Sequence, residues 1–276
     1  MEPNFLADHE TELTLAICSE TPSVLWDKIA ALGELGGFAL IPDPPLTIHD
    51  TYFDKQDQAL RRSSWALRIR IVGEKRLLTV KGPATIIDSG IISRTEIERE
   101  WSRPALAELH RLLEKLGVSA SVKSQPFREN DPALTLLELG LTVIQKRHVL
   151  RLPRRVAPKD AREHAWAELV IDRVSYDFGD QRVRHFELEI EFLTSTRASE
   201  LSRVVDALKH LYGEELRTWP YGKLSTGLAI QALLPDNTLR GLIQAECLLP
   251  AAYDKIAAIL SRRLPPAEKP SFLSEA

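Results

Sequence analysis

Charge at every second residue is the feature that most constrains this chain. A period of two places all the charges of a segment on one face of a β-strand. Glu10 and Glu12 share a face opposite Leu13, Leu15 and Ile17. Arg68 and Arg70 alternate with Leu67, Ile69 and Ile71. Arg94, Glu96, Glu98 and Glu100 alternate with Thr95, Ile97, Arg99 and Trp101, and Glu187, Glu189 and Glu191 alternate with Leu188, Ile190 and Phe192. Arg147 and Arg151 lie four apart in a strand-like segment from Val143 to Leu152, and Lys81 ends the run from Leu77 before Gly82-Pro83.

One such strand alone reads as the solvated face of a sheet. Taken together the strands resist that reading. Like charges set side by side repel, a surface sheet mixes its signs, and here whole strands are acidic or basic. Such sorting is expected when the charged face lines the inside of a barrel that binds metal cations and a polyanion together. The apolar face then points outward under helices. Helices for that purpose are predicted over 22–32, 104–116 and 196–212, each with an apolar stripe at helical spacing and a glycine just beyond its end. The short Glu-x-Glu-x-Glu pattern at Glu96 recurs at Glu187, each time followed by a helix, a trace of internal duplication. The expected fold is α+β: a closed antiparallel β-barrel of about eight strands forming a charged tunnel, with helices outside.

Composition excludes some partners. The 36 Lys and Arg nearly balance the 39 Asp and Glu, for a net charge of −3, which argues against a basic nucleic-acid binder or a polybasic membrane-surface protein. No apolar run approaches the roughly 20 residues of a membrane span. The acidic start reads as no secretory signal, and Cys18 and Cys247 have no metal-site or disulfide spacing, so a cytoplasmic location is expected.

The ordered series Glu10-x-Glu12, His49 to Leu60 (HDTYFDKQDQAL), Ala66 to Arg70, Thr79 to Pro83 and Arg94-x-Glu96-x-Glu98 resembles the CYTH superfamily, the triphosphate tunnel metalloenzymes. Leu169 to Arg173, Phe186 to Glu191 and Lys223 to Leu228 continue the likeness, which covers about residues 8–233 and is greatest to the bacterial inorganic-triphosphatase branch. The resemblance implies a barrel whose bore binds a triphosphate with Mg2+ or Mn2+. It implies hydrolysis of inorganic triphosphate first, with nucleoside or thiamine triphosphate as further substrates. Arginine forks and lysines suit a polyanion, and Arg68, Arg70, Lys81, Arg94, Arg147 and Lys223 are the candidates. Carboxylates are hard oxygen ligands for such cations. The candidates are Glu10, Glu12, Glu96, Glu98, Glu187, Glu189 and Glu191, with Glu10 and Glu12 on one side and Glu189 and Glu191 opposite. Glu12, Asp172 and Glu189 are the expected catalytic residues. Arg151 and Glu100 read as exposed strand ends, Asp50 and Asp54 as structural residues of a turn-like segment, and His9, His49 and His148 as ordinary.

The family motif Glu-x-Glu-x-Lys is broken here, with Thr14 at its fifth position. Hydrolysis with weaker binding, substitution by another cation, and binding without turnover all remain open. The functions that compete with the triphosphatase are a polyphosphate- or nucleotide-binding sensor and a class IV-type adenylate cyclase. Trp65, Trp101 or Trp166 would have to supply stacking for a base or thiazolium, though in strands such residues are more often core. Residues 1–235 are expected to form the tunnel domain and 236–276 a C-terminal helical tail, interrupted at Pro250. The tail packs on the barrel, closes one mouth, or pairs two protomers as a homodimer.

Overall fold

The computed structural model describes residues 8–86, 91–118, 127–193 and 198–262. Its longer strands are β1 (Asp8–Ile17), β4 (Leu46–Asp54), β5 (Ala66–Val72), β6 (Lys75–Ile86), β7 (Ile91–Glu100), β8 (Thr142–Pro158), β9 (Ala167–Asp177) and β10 (Arg182–Phe192). Five short ones complete the set: β2 (Glu34–Leu35), β3 (Phe38–Pro42), β11 (Leu216–Thr218), β12 (Ile243–Gln244) and β13 (Cys247–Leu248). The helices are α1 (Pro22–Ala30), α2 (Ala59–Arg62), α3 (Arg103–Lys115), α4 (Pro132–Glu138), α5 (Ala198–Tyr212), α6 (Lys223–Leu233) and α7 (Pro250–Ser261).

The eight longer strands close on themselves in the order β1-β7-β6-β5-β4-β8-β9-β10 and back to β1. Every neighbouring pair in this ring is antiparallel. The expected closed barrel is therefore present. The two acidic strands, β7 and β10, both flank β1.

Burial sets which face turns inward. Leu13, Leu15 and Ile17 of β1 join Leu169, Ile171, Leu188 and Ile190 in one outer apolar layer, covered by α1 through Leu25, Trp26 and Ile29 and by α5 through Leu201, Val204 and Leu208. A second outer layer packs Leu106, Leu109, Leu112 and Leu113 of α3 over Leu67, Ile69, Leu78, Val80 and Ile97. Each such side chain contributes about 1.5–3 kcal/mol on full burial. A one-residue slip would send a strand's apolar set into the bore and its charges into the outer layers, so the register is strongly specified. The predicted helices lie at Pro22–Ala30, Arg103–Lys115 and Ala198–Tyr212; the start of the 196–212 prediction falls outside the described residues. Trp101 and Trp166 are buried in these outer layers and Trp65 packs against the second, so none of the three faces the bore.

The tail differs from the helical segment expected over 236–276 with an interruption at Pro250. Ile243–Gln244 and Cys247–Leu248 pair instead, and α7 starts at Pro250. Proline there opens a helix rather than breaking one, because its missing N–H belongs to the first turn, where it has no partner anyway. Leu239, Leu248, Tyr253, Ile256 and Leu260 join Ile230 and Leu233 of α6 in an apolar cluster with Ala16, Ile48, Val149, Val174, Tyr176 and Trp219. Helices α6 and α7 thus stopper one end of the barrel, the second of the three roles open to the tail. Residues 263–276, with Pro265-Pro266, lie outside the described residues.

Candidate functional site in the barrel bore

A carboxylate gathers the arginines at one side of the bore. Asp50 stands opposite Arg70 on β5 and Arg147 on β8. It accepts hydrogen bonds from Arg70 Nε and Nη2 at 2.8 and 3.0 Å and from Arg147 Nη2 at 2.8 Å, with Arg68 Nη1 3.6 Å away. The Tyr52 hydroxyl accepts from Arg147 Nη2 at 2.6 Å and Arg68 Nη1 at 3.3 Å, and the Arg147 guanidinium sits 4.7 Å over the Tyr52 ring. Burial pushes the Asp50 carboxyl up, but Arg68, Arg147 and Arg70 outweigh it and hold it well below the usual range. Burial likewise opposes ionisation of Tyr52, yet Arg147 and Arg68 draw its phenol down. Asp50 therefore lies within a strand and inside the barrel, not in a turn. Asp54 is structural as read: its carboxylate accepts the backbone N–H of Leu60 at 2.9 Å and of Arg61 at 3.0 Å, holding the start of α2.

Beside this fan, acids and bases interlock across β1, β6 and β7. Glu10 accepts from Lys81 Nζ at 2.7 Å and from Arg94 Nε at 3.0 Å, while Arg94 Nη2 donates to Glu12 at 2.5 Å. Lys81 also lies 3.1 Å from Glu96, and Arg68 lies 3.4 Å from Glu96 and 3.6 Å from Glu98. Burial raises Glu10, but Lys81 and Arg94 prevail and hold it low. Glu12 goes the other way: burial first, then the neighbouring Glu189, push it up to about 7 against Arg94.

The third group is acidic. Asp172, Glu187 and Glu189 bring carboxylate oxygens within 4.8 Å of one another. Lys223, the first residue of α6, places its ammonium among them, 3.1 Å from Asp172, 2.5 Å from Glu189, and ion-paired with Glu187. Arg151 Nη2 bridges Asp172 at 2.7 Å and Glu189 at 2.9 Å. Burial raises Glu189, but Lys223 and Arg151 outweigh it and keep it ionised. Glu191, crowded by burial and then by Glu10 and Glu189, is pushed up to about 7. Three converging carboxylates form the all-oxygen donor set that a hard divalent cation prefers, so these residues fit Mg2+ or Mn2+ once the Lys223 ammonium moves aside.

The ligand candidates line the bore except Glu98, which is 38% exposed and meets Arg68 only at 3.6 Å. Besides Asp50, two sequence readings need correction. Arg151 is not an exposed strand end: β8 runs on to Pro158, and the Arg151 side chain is 16% exposed within the acidic group. Its spacing of four from Arg147 on one strand face was the available signal. Glu10 and Glu12 do not face Glu189 and Glu191 across the bore either. β1 pairs directly with β10, with Glu12 beside Glu191 and Thr14 beside Glu189. Glu100 is exposed, as read. Solvent reaches the Glu10, Lys81, Arg94 and Glu96 side chains, which are 13–17% exposed, but barely touches Asp172, Glu187 and Arg147 near the stopper, at 0–1%.

A family model described as the CYTH domain matches residues 41–216, more than half of the sequence. The chain belongs to the CYTH family. Among solved structures, this CYTH chain is similar to a Hippeastrum protein titled as an adenylyl cyclase with a dominant triphosphatase activity. The TM-score is 0.50 at 18% identity, over 80% of this chain and 95% of that one. A Bacillus halodurans protein titled as an adenylate cyclase gives 0.48 at 18% identity, over 79% and 95% of the two chains. The S. pombe RNA triphosphatase gives 0.30 at 11%, over 74% and 82%. At these identities the likeness shows the fold alone. No curated protein matches the sequence. No helix among the described residues is long and apolar enough to cross a membrane.

Proposed function

We propose that this CYTH protein hydrolyses a triphosphate inside the bore, with inorganic triphosphate the first candidate. The observation that carries this reading is the pairing of an arginine fan (Arg68, Arg70, Arg147) with a carboxylate cluster (Asp172, Glu187, Glu189) inside one barrel. Phosphoryl transfer asks mainly for alignment and charge neutralisation. Arg68, Arg70 and Arg147, with Lys81 and Arg94, exchange their carboxylate partners for phosphate oxygens. Asp172, Glu187 and Glu189, joined by Glu10, Glu12 and Glu191, would hold Mg2+ or Mn2+, with Glu96 and Glu98 nearer the open end. The cation would supply charge stabilisation and a more acidic water. Glu12, whose carboxyl burial and Glu189 raise in the cation-free site, would accept a proton from the attacking water only where it does not itself hold the cation. Asp172, fixed by Arg151 and Lys223, holds its neighbours in place.

The three tryptophans in the outer layers offer no platform for a base or a thiazolium, which supports inorganic triphosphate over nucleoside or thiamine triphosphate and over ATP cyclisation. Thr14 favours a second reading, a polyphosphate-binding sensor with little turnover. Against it, Lys223 already sits on Glu189, the cross-strand neighbour of Thr14, and supplies positive charge there. Phosphate release from inorganic triphosphate with Mg2+ or Mn2+ tests the proposal, with nucleoside and thiamine triphosphates run alongside. Turnover equal to that of Glu12→Ala sinks hydrolysis, and retained triphosphate binding in that case supports the sensor.

A further inference from the structure

Helix α7 does more than fill the barrel end. Its Tyr253 is fully buried, as is His185 on β10, and their Oη and Nδ1 lie 3.0 Å apart. On the other side of the same imidazole, Nε2 lies 2.6 Å from Glu187 Oε2. A hydroxyl proton given to Nδ1 leaves the N–H of a neutral His185 on Nε2, which then donates to Glu187. The second Glu187 oxygen is left for the acidic cluster, where it meets Lys223. Trp219 packs edge-on against Tyr253 at 5.4 Å and 89°, which keeps the phenol from turning away.

We infer that Tyr253 is a positioning residue: through His185 it sets the orientation in which Glu187 faces Asp172 and Glu189. The chain of contacts runs from a helix beyond the residues matched by the family model into the middle of the bore. This inference rests on the proposed role of Asp172, Glu187 and Glu189 as cation ligands. Outer partners of this kind typically change metal affinity by about 10–100-fold when removed.

The test is Mn2+ titration of the full chain by calorimetry. Tyr253→Phe keeps the ring and its packing and removes only the hydroxyl. The expected result is Mn2+ binding weakened at least about 10-fold, with circular dichroism unchanged. In a Glu187→Gln background the same substitution is expected to add no further loss, because a pair acting in series is not additive. Unchanged Mn2+ affinity in Tyr253→Phe overturns the inference, and so does an equal loss in both backgrounds, since the effect would then bypass Glu187. His185→Gln, which can still donate to Glu187, is expected to bind Mn2+ more tightly than His185→Leu; equality of the two also overturns it. If the unaltered protein binds no Mn2+, the ligand reading itself fails, an outcome distinct from failure of the relay alone.

Discussion

Asp50→Asn tests the arginine fan most directly. The substitution keeps the shape of the side chain but replaces an anion by an amide at a site that is 1% exposed. Arg70, Arg147 and Arg68 then face one another without their counter-ion, and an amide N–H2 must point at one of the guanidinium groups. Removing one partner from a buried ion pair costs about 3–5 kcal/mol. At about 2–3 °C per kcal/mol for a chain of this size, the melting temperature should fall by roughly 6–15 °C. The same loss leaves the fan with more net positive charge, so a polyanion gains. Inorganic triphosphate at about 100 times its Kd adds about 2.7 kcal/mol of stability to any protein that binds it in one site. At a fixed concentration it should therefore raise the melting temperature of Asp50→Asn by more than that of the unaltered protein. Differential scanning fluorimetry with and without triphosphate reads both effects. A fall of less than about 3 °C, or a triphosphate shift no larger than in the unaltered chain, would refute the argument that Asp50 is the counter-ion of three arginines proposed to bind phosphate.

Other outcomes follow from the same geometry. A Cβ added at Gly227 would lie 2.4 Å from Gln145 Nε2 and 2.5–2.7 Å from the Tyr176 ring. Gly227→Ala should thus displace α6, cost about 1–3 kcal/mol and lower turnover through Lys223; an unchanged melting temperature contradicts this. Glu12 and Glu191 are raised from 4.5 to about 7. The folded chain therefore holds protons that the unfolded chain releases from pH 4.5 upward, and their contribution to stability is present below 4.5 and lost as pH rises through about 7. If the proposed cation binds beside Glu12 and Glu191 it displaces those protons, so Mn2+ should stabilise the protein more at pH 8 than at pH 5.5, and equal thermal shifts would disprove it. Thr14→Lys should lower KM for triphosphate, and an unchanged KM would remove position 14 from the binding ring.

The period-two charges made the barrel and its inside-out polarity legible, because alternation ties each residue to a face regardless of where strands begin and end. The neighbours were not legible. Nothing local to β1 says that it closes the ring between β7 and β10, so Glu12 and Glu191 were assigned to opposite walls when they lie side by side. Arg151 was misread because its strand continues through Pro153 to Pro158, and proline in a run is ordinarily a sign that a strand ends. Asp50 was placed in a turn because Asp and Asn favour turns; three arginines from neighbouring strands, two of them distant in sequence terms only as hairpin partners, reverse that preference. His185 continues the period-two face of Glu187 and Glu189, but only the fold brings it to Tyr253.

The stoppered barrel is a blind well rather than a pipe. Under the proposed hydrolysis, a substrate that enters past Glu10, Lys81 and Arg94 and both of its products would share that one doorway. A linear phosphate chain longer than the well is deep would leave its far end in water, and cleavage would be confined to the end that fits. With that geometry the proposed hydrolysis should be inhibited competitively by orthophosphate and pyrophosphate, and long polyphosphates should be shortened from a terminus rather than cut in the middle.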